Sequence, residues 1–320
     1  MLRFALRRLA IAVPMVILAS FVMYLMVTLS GDPLARFRDT DPPPPPETIK
    51  LLEKQFGLDQ PFLVRYVNWI TGLFRGDFGV STQNIDIGAE LGNRMMVSFR
   101  LILAAIVIAA IVAIVIGVVS ALRQYGFLDT TLSVVTYIAL AVPVFWFAIL
   151  LKQAAISFNQ MVGSTVLYTI GDGVSTGVTG FALLGFLVLP TIALVINIFA
   201  SWSRYVRASM IEVLSADYMR LARAKGLSRA QAVMRHGLRN ALLPFITVVA
   251  LDFSALVGGA VVTEAVFQWR GMGDLLLNGV RNIDVNVVAA WLLVFAAATI
   301  LMNLIADLLY GLLDPRIRQH

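Results

Sequence analysis

The sequence predicts an all-α integral membrane protein with six transmembrane helices. Three observations predict it. Of the 320 residues, 59% are hydrophobic and only 14% are charged, against about 25% charged in an ordinary soluble domain, so a soluble fold would have too little polar surface. The apolar residues come in blocks, and several blocks reach the roughly 20 residues that carry a helix across a bilayer. The basic residues gather in the segments between blocks, which is the pattern that orients a membrane protein.

The N-terminus carries Arg3, Arg7 and Arg8 ahead of an apolar run from Leu9 to Leu29. That run is longer than the roughly 7–15 residues of a signal peptide, and no small-x-small cleavage site follows it. A retained first helix is expected, giving a first division at 1–29. Residues 30–95 form an external segment. The prolines Pro42–Pro46 make a stiff polyproline II spacer. A helix is expected over Glu47–Phe56, stopped by Gly57, and a second over Pro61–Phe74. The second places Phe62, Tyr66, Trp69, Ile70 and Leu73 at helical spacing. This face is expected to pack on the membrane surface or on other external helices.

Five further spans are expected within 96–309: Leu101–Leu122, Thr130–Leu151, Phe181–Trp202, Leu242–Val266 and Val285–Leu309. Gly163–Gly180 is a Gly/Ser/Thr-rich loop, and 310–320 is a short tail. With the N-terminus inside, the cytoplasmic segments hold 14 of the 25 basic residues and 5 of the 19 acidic ones. The positive-inside rule favours that orientation, which puts the C-terminus inside as well. Eight of those basic residues fall between Arg204 and Arg239.

That loop, 204–243, is the informative segment. Leu214, Tyr218 and Leu221 share one helical face. Gly226 stands where a helix would end, because glycine tolerates the left-handed conformation. Ser228 followed by Gln231 is a capping box for the next helix. Two short helices joined by a tight turn, with a basic outer surface, are therefore expected.

Ionisable groups inside spans are costly and act as pointers. Asp252 and Glu264 flank the small-residue run Gly258-Gly259-Ala260. These four positions, Asp252, Gly258, Gly259 and Glu264, are candidates for a translocation path, with close helix packing as the other reading of the glycines. Pro143 and Pro190 should kink their spans. Arg100 and Lys152 are expected at span ends, reaching to the interface.

Several functions are excluded by what the chain lacks. It has no cysteine and two histidines, too few for a thiolate or histidine metal site. No Gly-Lys dipeptide occurs, so there is no P-loop to cradle ATP. No Ser/His/Asp, H-E-x-x-H or paired-carboxylate constellation appears, so the chain is not expected to be an enzyme. A basic helix–turn–helix could contact nucleic acid, but this one is held between two spans, so no nucleic-acid partner is expected. An ion-gradient carrier would be expected to show inverted repeats, and none is visible.

The stretch Arg220-Leu221-Ala222-x-x-x-Gly226 resembles the Glu-Ala-Ala-x-x-x-Gly core of the coupling loop in permease subunits of binding-protein-dependent ABC importers. Arg220 replaces the glutamate, and His236 to Pro244 replaces the usual Ile-x-Leu-Pro tail. Ala222–Leu227, Arg235–Pro244, Arg75-Gly76-Asp77-Phe78-Gly79, the Thr263–Gly273 stretch and Leu313-Asp314-Pro315-Arg316-Ile317-Arg318 together resemble the oligopeptide/dipeptide (peptide/nickel) branch over essentially the whole chain. The resemblance implies half of a translocation path for oligopeptides or dipeptides in the bacterial inner membrane; nickel or another solute is the alternative cargo. It implies a second permease, cytoplasmic ATPase subunits that bind ATP and Mg, and an external solute-binding protein. It also implies that Ala222 and Gly226 pack in a groove of the ATPase, while Arg220, Leu221, Arg223, Lys225 and Arg229 belong to the same contact.

Overall fold

A computed structural model describes residues 2–313; the side chains of residues 2–9, 254, 255, 259 and 306–313 lie outside that description. The side chains of Arg3, Arg7 and Arg8, the surroundings of Gly259 and the closing Asp314–Arg318 are thus outside the described residues. Among those described there is no strand. The helices are α1 (Leu2–Leu29), α2 (Ala35–Arg38), α3 (Pro46–Gln55), α4 (Phe62–Leu73), α5 (Ile87–Leu122), α6 (Phe127–Ala141), α7 (Val144–Val162), α8 (Ala182–Ser215), α9 (Asp217–Ala224), α10 (Arg229–Ala232), α11 (Leu238–Leu251), α12 (Phe253–Phe267), α13 (Met272–Arg281) and α14 (Val285–Leu313). A π-helical turn, Val233–Gly237, joins α10 to α11.

Four helices are long and apolar enough to cross a membrane: Ala10–Leu29 of α1, α5, α8, and Val285–Ile305 of α14. The third and fifth expected spans are each a broken pair. The α6–α7 pair bends by 101° and the pair formed by Arg229–Leu251 and Leu256–Phe267 by 49°, so the described residues hold six spans if each bent pair counts as one. The first break has a plain cause. Proline has no N–H to donate and pushes its predecessor out of the α region; Val142, ahead of Pro143, has φ −79° and ψ 121°. Its carbonyl, left without a helical partner, accepts from Asn197 Nδ2 of α8 at 3.1 Å. Pro190, by contrast, lies inside an unbroken α8.

The chain divides into two compact units. One comprises 2–98 and 270–301. Here α4 lays Tyr66 and Trp69 on α1, with ring centroids 5.1 Å apart for Tyr66–Phe21 and 5.2 Å for Trp69–Tyr24. The aromatic face therefore packs on the first span itself, not on the other external helices. The extended segment after α4 is held from the start of α14. Buried Asp284 accepts from Ser81 Oγ at 2.6 Å, Thr82 N at 2.8 Å and Thr82 Oγ1 at 2.9 Å. Asn286 Nδ2 donates to Val80 O at 2.8 Å. In the first turns of α5, Arg94 pairs with Glu90 and with Asp274 of α13.

The other unit comprises 99–269 and 302–313. Its centre is α8, which buries Leu189, Ala193, Trp202, Val206 and Met210. Gly117 of α5 allows the closest crossing: a Cβ there would stand 2.7 Å from Val206 Cβ and 2.8 Å from Ser203 O. Lys152 is engaged within the fold. Its Nζ donates to Val266 O at 3.0 Å, and Gly171 N donates to Phe267 O at 2.9 Å, so the carbonyl end of α12 is held by an ammonium and an amide, as the helix dipole favours. Arg100 stands directly before the expected span Leu101–Leu122, within an α5 that begins thirteen residues earlier, at Ile87.

Gly117→Val should force α5 off α8 and lower the melting temperature of the purified protein, overpacking of this kind costing about 1–3 kcal/mol. Gly92→Ala in the same helix, with nothing within 4 Å of the new Cβ, should melt at or above the parent temperature in the same thermal scan.

Candidate coupling site

Helix α8 continues past the apolar run to Ser215, so Arg204 and Arg207 belong to it and the loop proper begins at Ala216. There Ala216 turns extended, with ψ 147°, and α9 starts. Helix α9 ends in a Schellman motif: Gly226 N donates to Arg223 O at 3.0 Å and Leu227 N to Ala222 O at 3.3 Å. The motif requires a left-handed residue at its corner, and Gly226 supplies φ +92°. Ser228 then forms the expected capping box with Gln231. The helix that follows is not short. It passes through the π turn, which contains exposed His236, and into α11 without a break.

This α9 turn rests on a core of its own. Met219 and Ala222 of α9 bury against Ala121 of α5, Met210 and Val213 of α8, Ala232, Val233 and Ala241, with Leu214 and Leu227 packed on the rim. Tyr218 and Leu221 point outward, 41% and 56% exposed. The inward stripe is thus Met219/Ala222, and Leu214 does not share a surface with Tyr218 and Leu221. Of the residues that the resemblance assigned to a partner contact, Ala222 is spent inside this chain. Arg229 is exposed but engaged, its Nη2 donating to Leu122 O at 3.0 Å at the end of α5. Arg220, Leu221, Arg223, Lys225 and Gly226 are exposed together; Arg220 makes a 3.5 Å pair with a solvent-exposed Asp217 and a long 3.4 Å bond to Ser215 O.

A buried ion pair fastens this core to the helices behind it. Asp129, in the first turn of α6, is 3% exposed. It accepts from Arg207 Nε at 2.7 Å and Nη2 at 2.8 Å, from Tyr125 N at 2.9 Å, and from Ser120 Oγ of α5. Bidentate guanidinium–carboxylate geometry is the strong form of such a bond. One carboxylate therefore joins α5, the Arg123–Gly126 turn, α6 and α8. Beside it, Arg204 lies over the Tyr137 ring at 4.7 Å from its centroid, in a cleft of about 490 Å3 lined by Ser133, Thr136, Ser201 and Tyr205. Sequence reasoning counted Asp129 and Arg207 only as loop charges. The one available signal was an acid three residues into an apolar helix, which needs a partner.

Asp252, Gly258 and Glu264, expected on a translocation path, lie at and after the break between α11 and α12. Asp252 stands at the α11–α12 break and accepts from Trp202 Nε1 at 2.7 Å. Glu264 is 1% exposed and takes part in interactions within the fold. Gly258 is exposed, and a Cβ added there would meet nothing within 4 Å, so no close helix packing occurs at that glycine within this chain.

Residues 113–319 match the family described as binding-protein-dependent transport system inner membrane component, and residues 1–98 match the N-terminal part of such membrane components. The chain belongs to this family. Similar proteins include the oligopeptide transport system permease protein OppB of Mycobacterium tuberculosis H37Rv, 38% identical over 99% of both chains. The oligopeptide permease protein AppB of Bacillus subtilis and the dipeptide permease protein DppB of Escherichia coli K12 are each 33% identical, again over 99% of both chains. Membership decides against the ion-gradient carrier. It makes this protein a multi-pass membrane permease of an ABC system, whose partners include an ATPase and a substrate-binding protein.

The Asp129–Arg207 pair should reveal itself in a double-mutant cycle read by thermal unfolding. Arg207→Gln, which strands the buried Asp129, should destabilise by about 3–5 kcal/mol; Asp129→Asn, which strands the part-exposed Arg207, should destabilise less. The double variant should be clearly less destabilised than the sum of the two.

Proposed function

We propose that this protein is the channel-forming permease subunit of an ATP-driven importer of oligopeptides or dipeptides. It sits in a bacterial inner membrane with both termini in the cytoplasm. It pairs with a second, different permease, and ATP with Mg is bound by the ATPase subunits beneath. Helix α9 docks into a groove of the ATPase through Leu221 and Tyr218, with Arg220, Arg223 and Lys225 against polar surface around the groove, and Gly226 permitting close backbone approach.

The observation that carries this reading is the division of α9 into an occupied inner side and a free outer side. Met219 and Ala222 are used by the chain's own core, while a large apolar residue, Leu221, is left 56% exposed among basic neighbours. An apolar anchor ringed by charge is the anatomy of a contact surface. Because the core beneath is closed, a push on α9 passes into α5, α8 and α11 instead of being absorbed by a flexible loop. The peptide cargo rests on the three relatives named as peptide permeases.

Gly226→Val tests the coupling role. No atom lies within 4 Å of the new Cβ, so no neighbouring side chain is displaced, while a β-branched residue is strained at φ +92° and loosens the turn that ends α9. The complex should insert normally, lose the ATPase on co-purification and lose ATP-dependent uptake of a labelled peptide in proteoliposomes. Leu221→Asp should do the same without touching the backbone. Parental uptake by both variants would remove α9 from the mechanism, and uptake of nickel in place of peptide would reassign the cargo.

A further inference from the structure

Helix α4 belongs to the segment that the sequence places outside the membrane, yet its contacts set it at a definite depth along α1. Trp69 and Tyr66 pack on Tyr24, at 5.2 and 5.7 Å between ring centroids. Tyr66 Oη lies 2.8 Å from Ser20 Oγ and donates to Ile17 O at 3.2 Å. All of these partners fall inside the apolar stretch Ala10–Leu29 of α1. That stretch has 20 residues, which at about 1.5 Å rise per residue is about the thickness of the hydrocarbon core. Tyr24 stands five residues short of Leu29, so α4 crosses α1 about 7.5 Å below the end of the span, and the Tyr66 hydroxyl reaches deeper still.

The flanks of α4 agree with that depth. Around the helix, Leu63, Val67 and Phe74 fall to one side of the Tyr66 face and Arg65 to the other. Arg65 is turned toward the end of α1, where it lines a cleft of about 410 Å3 with Thr28, Asp32 and Asp59. Leu63, Val67 and Phe74, on the opposite flank, are 62%, 52% and 89% exposed. A row of large apolar side chains left bare in water is a liability; the same row below the headgroups is at home.

We propose that α4 is a membrane-embedded interfacial helix, lying across α1 in the leaflet where that span ends, with Leu63, Val67 and Phe74 against lipid acyl chains and Arg65 toward the headgroups and water. Its depth matches the roughly 5–10 Å at which amphipathic interfacial helices lie. The first span and α4 then form one lipid-contacting anchor, and the external segment proper reduces to the residues around α2, α3 and the extended stretch after α4.

The chain has no cysteine, so single cysteines introduced at positions 63, 67 and 74, with Gln60 and Asn68 as reference positions, give this subunit one spin-labelling site each. With the whole transporter reconstituted in phosphatidylethanolamine/phosphatidylglycerol vesicles, labels replacing Leu63, Val67 and Phe74 should be several-fold more accessible to oxygen than to a water-soluble nickel chelate. Labels replacing Gln60 and Asn68 should show the reverse. Access of the nickel chelate to the first three would place α4 in water and overturn the proposal. Protection of those three from both reagents would mean that a protein partner covers the flank, which also overturns it.

Discussion

A single buried carboxylate holds the α9 end of this permease together. Asp129 sits where water is excluded, and an unpaired charge there would cost several kcal/mol. It is compensated by a two-point bond to Arg207, by a backbone amide and by a serine hydroxyl. Each donor comes from a different place in the chain, so satisfying one acid fixes the mutual positions of α5, α6, α8 and the turn between α5 and α6. The Gly117 crossing one turn away has the same effect by shape: with no side chain between them, α5 and α8 touch backbone to side chain. The apolar core under α9 is built on the platform these two features make.

That platform explains how a loop of about a dozen residues holds a fixed shape. Helix α9 has only eight residues, far too few to be stable alone in water. Its order comes from the Schellman turn at Gly226, from the capping box at Ser228 and from burial of Met219 and Ala222. The π turn at Val233–Gly237 connects the same core to α11, and Ser209 Oγ on α8 donates to Ala241 O at 3.0 Å, so the loop is tied at both ends to membrane helices. What remains outward is Tyr218, Leu221 and the basic residues, a surface left exposed among the described residues.

The local turn chemistry of this region was fully legible in the sequence. Gly226, the Ser228/Gln231 pair and, elsewhere in the chain, the helix stop at Gly57 each act through residues within one helical turn, and each falls where its chemistry requires. The inward face of α9 was not legible. An eight-residue helix offers two overlapping apolar stripes, Tyr218/Leu221 and Met219/Ala222, and periodicity cannot choose between them. The choice was made by shape: alanine and methionine fit against Met210 and Val213, and tyrosine and leucine did not have to. The same holds for Ala222 within the family motif. A small residue permits close approach, and only the fold decides whether the approaching surface is a partner or the chain itself.

The amino-acid sequence by itself determined that the chain lives in a bilayer, where the apolar blocks lie, which stretches between them gather the basic residues, and which residues begin and end the short helices. These are properties of composition and of neighbours along the chain. Tertiary structure alone decided that Asp129 answers Arg207, that Asp252 answers Trp202, that Lys152 closes α12, and that α4 lies on the first span. In each case the partners are separated by tens of residues and nothing in either neighbourhood specifies the other. Inside an apolar interior a polar group must find a partner, but which one it finds depends on helices meeting at the right height and rotation, and that is settled only when they pack.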